Sequence, residues 1–354
     1  MESYQRLRNR LDDPEMPSVV ENCAVCPAVE RDYRKRLKSL KASIFGLHLD
    51  SLSPAEFDER ILSYFLYLFS QKMTAAEGFK TLAMIGHFWP RHGKFGRYKL
   101  ARVRRLLQGW GRLMPEMSIV PPPHVAVASL AAVVARSNKE MALAVIVGHI
   151  CYLRPVELFS LRARDVVQPV LKGVGRGYNH HVLLLGPYEL RRPTKTGVFE
   201  DAVPIDSRES VWVGPALDRL LSMRKPNEKV WSFSQRAFNK KFALCVAELG
   251  LSHWCFTPCS LRHSGPSRDR IEKRRSLPEV QRHGRWREPK TVRRYEQASR
   301  TLALLSDLEM PLLEYMKHCA KHLSSFVKGD LVALDPPMPG RVAFFSTSSE
   351  VPEV

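Results

Sequence analysis

Two apolar runs in the middle of the chain, 126–134 and 141–153, limit most strongly what it folds into. Arg136, Lys139 and Glu140 separate them, so neither run is long enough to cross a bilayer. Ser137-Asn138-Lys139-Glu140 has the pattern of a capping box, which opens the second run as a buried helix through Leu153. With 354 residues and 44% hydrophobic content the chain buries at least one full core, and its length suggests two domains.

Around these runs the organisation is mostly α with one small antiparallel β-sheet. Residues 1–30 mix charge, proline and a lone Cys23-x-x-Cys26 without periodicity and read as a mobile leader. Ser53-Pro54-Ala55-Glu56 marks a helix start, followed by Ile61, Phe65 and Leu68 at helical spacing. Thr74-Ala75-Ala76-Glu77 repeats the signal before Phe79, Leu82, Ala83 and Phe88, so 31–118 is expected to be a helical domain. Pro121-Pro122-Pro123 reads as a stiff linker over 119–124. A second domain over 125–306 follows, with strands at 181–186, 188–193 and 198–205 and Thr194-Lys195-Thr196-Gly197 as the turn between the last two. Helices are expected at 215–223, 235–249, 258–270, 277–284 and 291–305. Within 307–354 a helix at 312–326 precedes a disordered tail.

Lys and Arg number 55 against 36 Asp and Glu, a formal charge of +19 that favours a polyanionic partner, most simply nucleic acid. The densest stretch, 88–105, interleaves Phe88, Trp89, Phe95 and Tyr98 with Arg91, Lys94, Arg97, Lys99, Arg102, Arg104 and Arg105, without one acid. Such a stretch neutralises phosphates and gives salt-dependent, sequence-blind affinity for DNA. Seven cysteines, an odd number, fit a reduced compartment better than a disulfide framework. Cys23 and Cys26 lack two further ligands at zinc spacing, so no metal is expected.

The chemistry concentrates in the second half. Cutting a phosphodiester without metal needs a nucleophile, positive charge on the non-bridging oxygens and an acid for the leaving 5′ oxygen. Arginine suits the second task, because its planar fork donates to two oxygens and stays charged. Four segments occur in order: Tyr152-Leu153-Arg154-Pro155-Val156-Glu157-Leu158 with Leu161 and Asp165, the Lys195 turn, Leu261-Arg262-His263, and Gly284-Arg285-Trp286 with Arg293-Arg294-Tyr295. Together they resemble the tyrosine recombinases, or phage integrases, over about 120–305. Arg262 lies 33 residues before Tyr295 and 24 before Trp286, intervals similar to the family's. Leu261-Arg262-His263-Ser264-Gly265 and Gly284-Arg285-Trp286 look most like the eukaryotic mobile-element branch, of the Crypton and DIRS kind.

The resemblance implies a recombinase catalytic domain, with 31–118 in the place of the family's helical core-binding domain and the two clasping duplex DNA. It makes Arg154 and Arg262 the phosphate clamp, Trp286 a hydrogen-bond donor to the phosphate, Tyr295 the nucleophile and Lys195 the general acid. Glu157, Asp165 and His263 become supports, and Arg285 joins the DNA-binding cations. It further implies a homo-tetramer on DNA, a nuclear location, and no cofactor, membrane or small-molecule substrate. The segment 302–326 becomes a candidate for docking on a neighbouring subunit.

One position departs from the pattern. Where most of the family has His three residues before the second arginine, this chain has Cys259, which is no imidazole proton shuttle at neutral pH. His263 or His283 is the expected substitute. A DNA-binding protein that keeps the fold without cleaving is the rival reading. A type IB topoisomerase fits less well, given the small N-terminal domain.

Overall fold

The computed structural model describes residues 25–44, 49–115, 120–170, 179–186, 201–289, 292 and 298–337. It divides into two compact units, 1–118 and 119–354.

The first unit is helical: α1 (Pro27–Ser43), α2 (Pro54–Ser70), α3 (Ala75–Phe88) and α4 (Ala101–Leu113). Helix α1 starts inside the stretch expected to be a leader, because Pro27 is preset for a first helical turn. Residues 1–24 lie outside the described residues. The capping box at Ser53 forms as expected, with Glu56 accepting from the Ser53 N–H at 2.9 Å. Thr74 caps α3 through the Glu77 N–H. Helix α4 has no cap of its own; the Asp58 carboxylate of α2 accepts from the Arg102 and Val103 N–H groups at 3.1 and 3.4 Å. That bond ties two helices while satisfying donors that every helix start leaves open.

One face differs from expectation. Phe79 is 51% exposed and Ala83 is exposed, whereas Ala75, Gly78, Thr81, Met84 and Ile85 point inward. Gly78 selects this face, since a Cβ there would lie 2.5 Å from Leu107 of α4. Phe57, Ile61, Phe65, Met84, Ile85, Leu107 and Trp110 make the core.

The second unit is built around α5 (His124–Ala135) and α6 (Lys139–Ile150), in which side chains 126–135 and 141–149 are all buried. Asn138, one residue past the expected serine, caps α6 by accepting from the Met141 N–H at 2.8 Å. Glu140 serves no box; its carboxylate takes the Ser232 N–H at 2.6 Å. Pro121, Pro122 and Pro123 are buried, and the Pro122 carbonyl accepts from Ser264 Oγ at 2.6 Å. The prolines are therefore part of the second unit's packing and not a free spacer.

After α7 (Pro155–Ser160), strands β1 (Val166–Val167), β2 (His181–Leu185) and β3 (Asp201–Ile205) pair antiparallel in that order. Leu183 opposes Val203 at the buried centre. The two-residue β1 is too short to show alternation and went unforeseen. Of the expected strands, 188–193 lies outside the described residues, as does the Lys195 turn. Then come α8 (Val213–Leu221), α9 (Gln235–Glu248), α10 (Pro258–Ile271), α11 (Leu277–Gly284) and α12 (Ala298–Ser306). The expected helix at 312–326 is two, α13 (Met310–Lys321) and α14 (Leu323–Lys328). Leu312, Met316, Cys319, Leu323 and Phe326 are buried within their own unit, where both helices pack on α5. Their apolar face is thus part of this unit's own packing. The stretch after α14 is also held: Tyr315 donates to the Leu334 carbonyl at 2.9 Å, and Arg136 pairs with Asp335 at 2.7 Å.

Candidate active site

Both arginines expected to hold a phosphate are fixed by helix ends. Helix α6 stops at Ile150, Tyr152 takes a left-handed conformation (φ 48°), and the Leu153 N–H returns to the Gly148 carbonyl at 3.1 Å. That is a Schellman closure with tyrosine where glycine usually sits. The turn delivers Arg154 to the start of α7, where its N–H donates to Glu157 Oε2 at 2.8 Å and its guanidinium pairs with Oε1. Helix α11 ends the same way. Arg285 is left-handed (φ 57°), and the Trp286 N–H reaches the Gln281 carbonyl at 3.1 Å.

A left-handed non-glycine residue costs roughly 1–2 kcal/mol, so buried side-chain bonds must hold both. Tyr152 donates its hydroxyl to Asp269, which also takes Arg275 Nε at 2.8 Å. Burial, then the Asp269 charge, raises the Tyr152 phenol far above its ordinary pKa, so this tyrosine stays protonated. Gly265 makes room for it, since a Cβ there would lie 2.4 Å from the Tyr152 ring and 2.1 Å from the His149 carbonyl.

Arg262, from α10, closes the arrangement. It donates to the Tyr152 carbonyl and, at 2.8 Å, to the Gly284 carbonyl. Its guanidinium lies 4.8 Å from the centre of the Trp286 ring and 3.7 Å from Glu157 Oε2. Gly284 is obligatory, because a Cβ would fall 1.7 Å from that ring. Glu157 is thus the hub of three cations: Arg154, Arg262 and Arg285, whose Nη2 donates at 2.8 Å. Burial pushes the Glu157 carboxyl up, but Arg285, Arg154 and Arg262 outweigh it and hold its pKa below the ordinary value. Asp201 of β3 lies 3.4 Å from Arg285 Nε. Three guanidiniums against these two carboxylates leave one positive charge in excess, beside an Arg154 side chain 18% exposed.

No family model and no curated protein matches the chain. Among solved structures it is similar to the XerH site-specific recombinase bound to palindromic difH substrate in a post-cleavage complex, with a TM-score of 0.50 and 15% identity over 77% of this chain and 76% of that one. The fold is that of the tyrosine recombinases. Further similar structures are the XerH pre-cleavage complex (0.48, 14% identity, 78% and 76%) and the XerA recombinase (0.35, 15% identity, 83% and 93%).

Within this recombinase fold the expected residues separate into three groups. Arg154, Glu157, Arg262 and Trp286 come together. Lys195 and Tyr295 lie outside the described residues. Asp165 and Arg285 do other work than expected. The Asp165 carboxylate takes the Arg162 N–H at 2.8 Å and shapes the turn from α7 into β1, pairing among the site arginines with none. Arg285, with a side chain 4% exposed, is turned inward as a counter-ion to Glu157.

The candidate proton shuttles also separate. His283 is buried, its Nε2 2.9 Å from the Ile150 carbonyl and its Nδ1 3.1 Å from Arg275 Nη1. A carbonyl needs a donor and a guanidinium needs an acceptor, so one neutral tautomer is locked. Burial, then Arg275, pushes its pKa down to about 4. Both of its ring nitrogens are thus engaged within the protein. His263 is half-buried, its pKa lowered by burial and by Arg262, while Cys259 is exposed in the first turn of α10.

In the first unit the basic stretch is not one element: it runs through a 3-10 turn (Pro90–His92), a loop and the start of α4. Lys94, Arg97, Lys99, Arg102 and Arg105 are exposed; Arg91 and Arg104 are half-buried, and Arg91 donates to the Asp50 carbonyl at 3.2 Å. Asp201, Asp269, Arg275 and Tyr152 were missed as site supports. Only Tyr152, inside a quoted block, carried any local signal.

Proposed function

We propose that this chain is a DNA strand transferase of the site-specific recombinase type, cleaving and rejoining strands through a 3′-phosphotyrosine. The observation that carries the reading is the convergence of Arg154 and Arg262, 108 residues apart in sequence, on one buried carboxylate with Trp286 against the second guanidinium. Cations held this way need no reorganisation when charge develops on a phosphorane-like transition state. Arg154 and Arg262 hold the non-bridging oxygens of the scissile phosphate. Tyr295 gives its proton to solvent and attacks phosphorus, the P–O5′ bond breaks, and Lys195 protonates the leaving 5′ oxygen. A 5′ hydroxyl from a partner strand then reverses the step. The ester keeps the bond energy, so rejoining needs no nucleotide cofactor.

The wording around Arg262 and Trp286 further suggests the eukaryotic mobile-element branch, and with it a nuclear, tetrameric assembly on DNA. Incubation with a nicked suicide duplex followed by denaturing electrophoresis tests the chemistry. A covalent adduct is expected, and Tyr295→Phe should abolish it. The rival, a DNA-binding protein that does not cleave, is favoured by Cys259 and the locked His283. DNA binding without adduct on any nicked duplex would establish the rival instead.

A further inference from the structure

The first unit carries an aromatic ring that is not packed into its core. Phe95 is 93% exposed, while the aromatic residues around it are tied down. Trp89 donates its indole N–H to Asp50 at 2.6 Å. His92 stacks on Phe57 with ring centres 4.0 Å apart, and Tyr98 lies against His92 at 5.8 Å.

The loop presenting Phe95 is built tightly. The Gly96 N–H bonds the Gly93 carbonyl at 3.2 Å, making a β-turn with Lys94 and Phe95 at its two central positions. The Tyr98 N–H bonds the Arg91 carbonyl at 2.9 Å and closes its base. Gly96 is needed there, because a Cβ would meet the Pro90 and Arg91 carbonyl oxygens at 2.3 Å. Gly93 packs on Gly86 of α3, where a Cβ on Gly86 would come within 3.1 Å of the Gly93 Cα. The turn is therefore anchored to the helical core and presents Phe95 at its apex.

Charge at the apex identifies the partner. The Lys94 ammonium stands 5.2 Å from the Phe95 ring centre, and Arg97, Lys99, Arg102 and Arg105 are exposed on the same loop and the following helix turn. An exposed apolar ring with Lys94 beside it, on a stretch whose further cations are also exposed, is repelled by another basic surface and suits a polyanion with flat apolar faces. Nucleic-acid bases supply those faces, and the phosphates supply the anions.

We propose that Phe95 is a DNA wedge: the turn enters a groove of the duplex, the ring stacks at a base step, and Lys94 with its neighbouring cations holds the flanking phosphates. The inference deepens the recombinase reading by naming a contact in the first unit, and it needs no cleavage.

The test is binding of the full chain, carrying Tyr295→Phe so that no covalent product contributes, to a fluorescently labelled duplex of arbitrary sequence over a salt series. Phe95→Ala should weaken binding about ten-fold, the size of one lost stacking contact, and leave the slope against salt unchanged. Lys94→Ala should reduce that slope by about one, because it removes one phosphate contact. Phe95→Trp should restore the affinity, which a mere folding defect in Phe95→Ala would not predict. Unchanged binding by Phe95→Ala, or failure of Phe95→Trp to restore it, overturns the wedge, as does absence of duplex binding. Absence of adduct on the suicide duplex with Phe95-dependent binding intact would remove the cleavage reading and leave the wedge standing.

Discussion

The arginines of the candidate site in the second unit and those of the basic stretch in the first stand in opposite physical settings. In the second, Arg262 and Arg285 have side chains 8% and 4% exposed, each bonded to carbonyls and to Glu157. In the basic stretch of the first, Arg97, Arg102 and Arg105 stand in solvent, and the Arg102 guanidinium has Glu59 at 3.9 Å as a loose pair. Buried and bonded cations have fixed directions, which suits the recognition of one phosphate in one geometry. Solvated cations have charge without direction, which suits attraction to any duplex. The difference shows that basic composition alone says little; what matters is whether a carboxylate and backbone carbonyls have fixed the guanidinium.

The comparison is most open to attack at Arg262. Arg262→Lys keeps the charge and loses the fork, so it cannot serve the Tyr152 and Gly284 carbonyls and a phosphate together. Covalent adduct on the suicide duplex should fall by roughly two to three orders of magnitude, the scale for one lost oxyanion donor. Near-parental adduct would mean that charge, and not direction, is what this position supplies.

Acid should act unequally on the two units. In the second, His283 is held at about 4 and His124 at about 3, and His149 well below its ordinary value, each chiefly by burial. In the unfolded chain these imidazoles take up protons below about pH 6.5 while the folded unit refuses them, so stability falls as pH falls through that value. By pH 5 the loss is on the order of 2 kcal/mol for each such imidazole. The first unit has only His92 of this kind among the described residues. Glu157, whose pKa is depressed, contributes its own loss only below the ordinary carboxylate range. Thermal unfolding followed by tryptophan and circular dichroism between about pH 7 and pH 5 reads this. Equal shifts in both units would mean that the three histidines are charged when folded.

The smallest effect separates the two kinds of cation directly. Arg105→Ala should reduce the salt slope of duplex binding by about one with little change in stability, because Arg105 is exposed. Arg285→Ala should leave the slope unchanged and lower stability, because it strips Glu157 and Asp201 of their shared counter-ion. Salt titrations of the two variants side by side decide it; a matching drop in slope for Arg285→Ala would return that residue to the DNA surface.

Much of this fold is legible in the amino-acid sequence. The helix starts at Ser53 and Thr74 were readable because a capping residue acts on N–H groups within three positions of itself. Helix α11 falls on its expected bounds for the same local reason. The buried pair α5 and α6 was readable from an apolar composition interrupted only by residues such as Ser129 and His149. The faces of α3 were not, because Gly78 and not hydrophobicity chose them. Nor was the Asp58 cap on α4, which comes from 44 residues away.

By itself the sequence determined the mostly α class with its small sheet, the helix starts, and the identity of Arg154, Glu157, Arg262 and Trp286 as a set worth bringing together. Only the tertiary structure decided that Arg285 faces inward while Arg105 faces out, that Asp165 shapes a turn, and that His283 is locked neutral. Periodicity and capping are short-range and are written in neighbouring residues. The charge state and direction of a buried side chain depend on partners such as Asp201 and the Ile150 carbonyl, and no local pattern announces those.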